Sequence, residues 1–317
     1  MVPAALAPGD TVALVSPSGP VLDHRLLDEA IELLAHWGLD AVEGGYTRVA
    51  SGHLAGGDDQ RIADLNAALT DPRVRAVWCT RGGYGLTRIL DRVDWSALAA
   101  DPKLVIGFSD VSALLTAAWR RLRLVTVHGH FAGRLPVQPD GARERLRAVL
   151  FGHPAPVALR GTSVAVQGTS VDDVVRAPLV GGNLTVLAAL AGTVDAVDAR
   201  GCLLLLEEVG EAPYRVDRLL TQLRASGAFA AVAGVVVGSP VHCDPPPDRP
   251  SASFAAVVAD RLGDLGVPVL TGVRIGHMPD QCAVLHGAEV TLDVRTATLT
   301  CAGVLPATDA ASCAHRG

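Results

Sequence analysis

Between Lys103 and Trp119 the chain passes from strand to helix with almost nothing in between, and this limits the kind of fold it can join. Leu104 to Ile106 is a short apolar run that reads as a buried strand. Gly107-Phe-Ser-Asp110 is a polar stop, and a helical pattern begins at Val111. A serine at the tip of so tight a turn has its hydroxyl lifted off the sheet, and the first helical N–H groups face any negative charge that forms beside it. Gly107 leaves the strand side of the turn free of a Cβ. The match to Gly-x-Ser-x-Gly is incomplete, because Val111 stands at the second glycine position. The plain alternative is a helix start, with Ser109 or Asp110 as its N-cap.

The rest of the first half repeats the alternation. A strand at Thr11–Ser16 runs into Pro17-Ser-Gly-Pro20, and Leu26–Trp37 is a helix closed by Gly38. A short strand starts at Ala41, Asp58–Leu69 is a second amphipathic helix, and Val74–Cys79 is a buried strand entering Arg81-Gly-Gly-Tyr-Gly85. A helix is expected from about Leu86, and another strand at Leu124–Val127. Such spacing means βαβ units and a mostly parallel sheet, whose ligands sit beyond the carboxyl ends of the strands. The turns Ser16–Gly19, Arg81–Gly85 and Gly107–Asp110 all fall there.

Residues 1–133 therefore read as one α/β domain, and the Pro- and Gly-rich stretch 134–178 as a crossover. Residues 179–305 read as a second domain. It opens at Leu179-Val-Gly-Gly-Asn183 and holds a strand at Cys202–Leu206 ending in Glu207-Glu208. A helix at Arg215–Ser226, a strand at Val232–Val237 and a helix at Ala255–Leu262 follow, then a short strand at Val269-Leu270. It closes on a hairpin that sets Val290, Leu292 and Val294 against Ala297 and Leu299. The loop 244–250 is a candidate lid or rim, and 306–317 reads as a frayed tail.

Composition narrows the function. The 317 residues are 49% hydrophobic and 19% charged with a net charge of −6, and no basic stripe marks a nucleic-acid partner. No apolar run is long enough to span a membrane, and the N-terminus lacks the pattern of a signal peptide. The six cysteines are scattered without a C-x-x-C pair, so they read as reduced thiols in a cytoplasmic protein.

A nucleophilic serine needs a base, and the base needs an orienting group. Of ten histidines, His277 stands out, held between Gly276 and Pro279 in a shaped loop. Glu207 and Glu208 end a run of leucines, where a carboxylate either orients an imidazole or simply leaves the strand for solvent. The glycine turn after Arg81 can offer backbone N–H groups to an anion, although it is neither G-x-G-x-x-G nor a P-loop. His128-Gly-His130 has the form of a metal-binding H-x-H, but no further ligands assemble around it. The alternative is two imidazoles alternating on a strand end.

Taken together, these segments resemble the LD-carboxypeptidase family of serine peptidases, which includes murein tetrapeptide carboxypeptidases and microcin immunity hydrolases. The resemblance runs from Pro8-Gly-Asp-Thr-Val to about Leu299. Leu54-Ala-Gly-Gly-Asp-Asp-Gln-Arg61, Arg81-Gly-Gly-Tyr-Gly85, Gly107-Phe-Ser-Asp110, Gly181-Gly-Asn183, Leu206-Glu-Glu208 and Gly276-His277 carry it. It implies an N-terminal parallel-sheet α/β domain and a smaller β-rich C-terminal domain. It also implies a nucleophile at Ser109, a base at His277 and an orienting carboxylate at Glu207, with Glu211 as the fallback if the register slips. The family often has Asp where this chain has Glu208. Backbone N–H groups of Gly83 and Asp110 would stabilise the oxyanion, and Arg81 and Asn183 would hold the substrate's polar ends. The implied substrate is a small peptide or a peptide–nucleotide conjugate, the implied assembly a homodimer, and no metal or organic cofactor is implied.

Overall fold

The computed structural model describes residues 1–170, 173–245, 247–248 and 250–307. The first half lays down β1 (Thr11–Val15), α1 (His24–His36), β2 (Asp40–Glu43), α2 (Asp58–Thr70), β3 (Val74–Cys79), α3 (Trp95–Ala100), β4 (Leu104–Gly107), α4 (Ser112–Leu122), β5 (Thr126–His128) and α5 (Asp140–Leu150). The second adds β6 (Val157–Arg160), β7 (Thr162–Ser163), β8 (Val174–Asn183), α6 (Leu184–Leu190), β9 (Leu203–Glu207), α7 (Pro213–Ala225) and β10 (Gly234–Gly238). It ends with α8 (Phe254–Leu262), β11 (Val269–Val273), β12 (Val284–His286), β13 (Glu289–Asp293) and β14 (Thr298–Cys301).

Two sheets organise these elements. The first runs β12-β5-β4-β3-β1-β2, parallel except at β12. The second runs β6-β14-β13-β8-β9-β10-β11-β7, with a parallel centre from β8 to β11 and antiparallel flanks. The protein is thus a two-domain α/β fold whose second sheet is the larger. The central strands β3 and β4 are buried along most of their length, as an apolar parallel strand covered on both faces must be. The expected hairpin forms at β13–β14, where Leu292 faces Leu299.

The structure departs from the sequence reading in three places. After Gly85, two 3-10 turns at Leu86–Arg88 and Leu90–Arg92 replace the expected helix, and α3 starts only where Asp94 caps the Ala97 N–H at 2.9 Å. The stretch 134–178 is more than a crossover. Its α5 sends Leu146, Val149 and Leu150 into the same core as Leu14 and Trp78, a helical spacing hidden among arginines. Residues 179–305 are not confined to the second sheet either, because β12 returns to close the edge of the first beside β5. Residues 308–317, most of the expected tail, lie outside the described residues, as do positions 246 and 249 of the candidate rim. Among the described residues, no helix is long and apolar enough to cross a membrane, and the five described cysteines are all buried and unbridged.

The sheets are tied together around α4. Arg121 pairs with Asp195 at 2.6 Å, Arg123 with Asp198 at 2.6 Å, and the Trp119 indole donates to the Asp198 carbonyl at 3.1 Å. At the edge strand, His286 accepts the Gly181 N–H through Nε2 at 3.0 Å, and its Nδ1 lies 3.2 Å from the Thr126 hydroxyl. Burial pushes the His286 pKa down to about 3. It does the same for its neighbour His128, also to about 3, with the nearby His286 and His277 adding to the effect.

These two imidazoles make the fold acid-sensitive. Unfolded, each titrates near 6.5, so below that pH the unfolded chain binds protons that the native chain refuses. Their stabilisation is complete above pH 6.5 and is lost as pH falls toward 3, by about 1.4 kcal/mol per unit for each group. Thermal unfolding followed from pH 7.5 to 5 should show a falling melting temperature below 6.5, smaller in His128→Phe. A flat profile would contradict buried neutral imidazoles.

Candidate active site

Ser109 sits at the carboxyl end of β4 with φ +57, the left-handed region that side-chain-bearing residues rarely adopt. The chain can hold it there because Gly107 packs on Val111. A Cβ on Gly107 would come within 2.7 Å of the Val111 side chain, so the small residue sits where the turn folds back on itself. Gly82 is under a similar constraint. A Cβ there would lie 2.7 Å from the Phe131 ring, 3.0 Å from the Ser109 Cβ and 3.1 Å from its Oγ. The Arg81–Gly85 turn therefore passes directly against the serine.

The three polar turns read from the sequence do meet. The Gly19 N–H donates to the Gly82 carbonyl at 2.9 Å, and the Ser18 hydroxyl donates to Asp110 Oδ2 at 2.6 Å. Arg61, 1% exposed, donates to the carbonyls of Pro17 and Gly85 and pins two of the turns from below. The Asp110 carboxylate also accepts the Leu86 N–H at 3.0 Å, and burial raises its pKa against these bonds. Its side chain thus fastens the turns together, and the expected role of Asp110, through its backbone N–H, does not draw on that carboxylate.

The second domain brings two groups to the serine. His277 lies 3.0 Å from Ser109 Oγ through Nε2 and 2.7 Å from Glu207 Oε2 through Nδ1. A carboxylate only accepts, so the proton of the neutral imidazole sits on Nδ1 and Nε2 is left to take the serine hydrogen. Gly276 carries φ +127, and a Cβ there would fall 2.9 Å from Glu207 Oε2, so only glycine lets the loop approach the strand end this closely. The Phe108 ring, 4.9 Å from His277 between centroids and stacked on Phe131 at 4.4 Å, floors the site.

The two glutamates at the end of β9 divide. Glu207 faces His277, while Glu208 accepts from the Thr185 N–H at 2.9 Å, the Thr185 hydroxyl at 2.7 Å and the Val209 N–H at 2.8 Å. Burial raises the Glu208 pKa. Glu211, the fallback, pairs with Arg215 at 3.3 Å. Asn183 is not at the cleft. It is buried at 5% exposure, caps α6 by accepting the Val186 N–H at 3.1 Å, and donates to Glu208 at 3.3 Å. Its expected contact with substrate is therefore corrected to a structural one.

Ser109 and His277 open into a cleft of about 540 Å³ that also contains Arg81, Gly83, His130, Arg134 and Gln281. Sequence reasoning had assigned no role in the site to Arg134, Phe131 or Gln281. Arg134 was hidden in the presumed crossover, and Gln281 stands four residues beyond His277 with no periodic signal. His128 and His130 are both buried. Burial lowers the His130 pKa to about 4, partly offset by the Gln281 backbone, and its Nδ1 lies 3.2 Å from the Gln281 amide. Among the described residues no group of three or more His, Cys, Asp or Glu side chains is placed to hold a metal ion.

A serine, an imidazole and a carboxylate in line at a cleft between two α/β units form the arrangement of a serine-type hydrolase. The chain belongs to the LD-carboxypeptidase family and is a serine-type carboxypeptidase: residues 12–129 match the LD-carboxypeptidase N-terminal domain and residues 176–292 the C-terminal domain. It is 45% identical to a putative carboxypeptidase of Streptomyces coelicolor, over 94% of this chain and 95% of that protein. It is 33% identical to the murein tetrapeptide carboxypeptidase of Pseudomonas aeruginosa, over 89% of this chain and 92% of that protein. The fold superposes on a structure of the microcin self-immunity protein MccF in complex with glutamyl sulfamoyl guanosine. The TM-score is 0.84 at 20% identity, covering 96% of this chain and 99% of the other.

The Gly276 constraint is testable. Gly276→Ala should displace Glu207 or His277 and lower kcat by about 100-fold, the scale of an ångström-sized misplacement, with the fold intact by circular dichroism. Wild-type kcat in that variant would contradict the packing argument.

Proposed function

We propose that the protein is a murein tetrapeptide carboxypeptidase, which cleaves between the L-centre of meso-diaminopimelate and the terminal D-alanine. The observation that carries this reading is the 3.0 Å and 2.7 Å chain from Ser109 through His277 to Glu207. The relative named for that activity supports the choice of substrate.

Ser109 Oγ attacks the scissile carbonyl as His277 Nε2 takes its proton. Glu207 fixes the imidazole tautomer and stabilises the cation that forms. The backbone N–H groups of Asp110 and Gly83 hold the oxyanion, each contributing about 3 kcal/mol. The protonated His277 then gives its proton to the departing amine of D-alanine. Water, activated by the same imidazole, hydrolyses the acyl-enzyme and restores Ser109. The reading includes a cytoplasmic homodimer working in peptidoglycan recycling, which rests on the family resemblance.

The rival substrate is an aminoacyl-nucleotide conjugate. Its base would want an exposed aromatic face. Among the described residues no Trp or Tyr lines the cleft, the exposed Tyr84 one residue past Gly83 having its ring tilted against His53, and Phe108 and Phe131 are 8% and 7% exposed. That favours the peptide.

Mass spectrometry of L-Ala-γ-D-Glu-meso-diaminopimelate-D-Ala incubated with the protein tests the proposal. The wild type should release D-alanine and Ser109→Ala should not. Intact tetrapeptide with wild-type protein, alongside cleavage of a nucleotide conjugate, would replace the peptide reading with its rival.

The two glutamates should separate in the same assay. Glu207→Gln should lower kcat by about 10⁴-fold, since the tautomer is no longer enforced. Glu208→Gln should lose about 1–3 kcal/mol of stability with kcat within a few-fold of wild type. The reverse pattern would exchange their roles.

A further inference from the structure

Part of the cleft wall is apolar and open to solvent. Leu22 is 76% exposed and Val137 49% exposed, and both border the cleft that holds Ser109 and His277. The buried Leu26 and the half-buried Met278, next in the chain after His277, border it with them. Single exposed aliphatic residues are ordinary on a protein surface, and Val174 and Val194 are such cases away from this cleft. Several around one concavity that also holds the nucleophile act together, because a ligand entering there removes them from water at once.

The fold itself makes no use of the Leu22 side chain. Asp23 caps α1, so Leu22 stands just before the cap, where an apolar residue ordinarily packs onto the fourth helical residue, here Leu27. Leu27 is fully buried in the core without it, and Leu22 stays in solvent. Val137 ends the 3-10 turn Ala132–Val137 and is likewise exposed, although Leu135 in the same turn is buried. The two segments lie on one wall, since α1 packs on that turn and Val21, Leu27, Ala132 and Leu135 share one core cluster. Arg81 Nη1 donates to the Pro20 carbonyl at 2.9 Å, which ties this wall to the turn whose next residue, Gly82, packs on Ser109.

Such a wall suits a side chain with a long apolar stem. The D-alanine released offers it a single methyl group. The residue on the acyl side of the scissile bond in the proposed peptide offers a run of methylenes ending in a polar head. A stem of that kind lies along apolar surface while its head stays in water. Asp23 and Gln138, next in the chain to Leu22 and Val137, also border the cleft, so the head meets polar groups.

We infer that Leu22 and Val137, backed by Leu26 and Met278, form an aliphatic subsite that selects the residue on the acyl side of the scissile bond by the length of its apolar stem. This rests on the peptidase reading of the cleft and extends it to a choice among peptides.

The test uses tetrapeptides L-Ala-γ-D-Glu-X-D-Ala in which X is L-alanine, L-2-aminobutyrate, L-norvaline or L-norleucine, with meso-diaminopimelate at X as the reference. It reads kcat/KM for D-alanine release. In the wild type kcat/KM should rise about threefold with each added methylene, which makes the norleucine-to-alanine ratio about 30. The double variant Leu22→Ser, Val137→Ser should bring that ratio to within about threefold of one, and Leu22→Met alone should keep most of it. Both side chains are exposed, so the fold survives the change, as circular dichroism would verify. A merely structural role would lower every substrate together and leave the ratio standing. A flat series in the wild type, or a ratio unchanged in the double variant, overturns the subsite and leaves the peptidase reading in place. Cleavage of none of the peptides, the meso-diaminopimelate one included, overturns both.

Discussion

The close approach of Gly182 to Ser112 is the contact on which the rest of the structure depends. Gly182 lies on β8 with φ +149, and a Cβ there would come within 2.8 Å of the Ser112 Cβ. The next residue, Asn183, donates its backbone N–H to the Ser112 hydroxyl at 3.0 Å. Ser112 opens α4, three residues after Ser109, while Gly182 and Asn183 pair with Leu206 and Glu207 on β9. One backbone-to-helix contact therefore sets the nucleophile's turn beside the strand that ends in the orienting carboxylate. Any larger residue at Gly182 would push the two sheets apart at the point where their chemistry meets.

The electrostatics of the interface follow from this closeness. A carboxylate as deeply buried as Glu207 is costly unless it is partnered, and His277 supplies the partner at 2.7 Å. Glu208, adjacent in sequence, is satisfied by the first turn of α6 and cannot serve the imidazole as well. The salt bridges of Arg121 and Arg123 to the 195–198 loop sit on the far end of α4 and hold the same orientation at longer leverage.

Much of this was legible in the sequence because it is written in local rules. The Leu104–Ile106 run, the glycine before Phe108 and the helical pattern after Asp110 specify a strand–turn–helix whatever surrounds them. The same holds for the leucine run that delivers Glu207 and for the Gly276-His277 loop. What escaped depends on contacts distant in sequence. Asn183 carried a substrate role only through the family resemblance, and the packing of β8 against β9 turns it inward to cap α6 and meet Glu208. The return of β12 to the first sheet has no signal in Val284-Leu285-His286, a run too short to carry a pattern. Arg134 was obscured by the proline- and glycine-rich composition of its stretch, which mimics a linker although α5 packs on the core.

The central claim is that Ser109, His277 and Glu207 act as one unit assembled across the two sheets. Labelling with a fluorophosphonate, read by intact mass and peptide mapping, tests it most directly. The account expects a single adduct on Ser109, formed rapidly in the wild type and slowed by orders of magnitude in His277→Ala with the fold retained. An adduct on another serine, or labelling of Ser109 at the wild-type rate without His277, would contradict it.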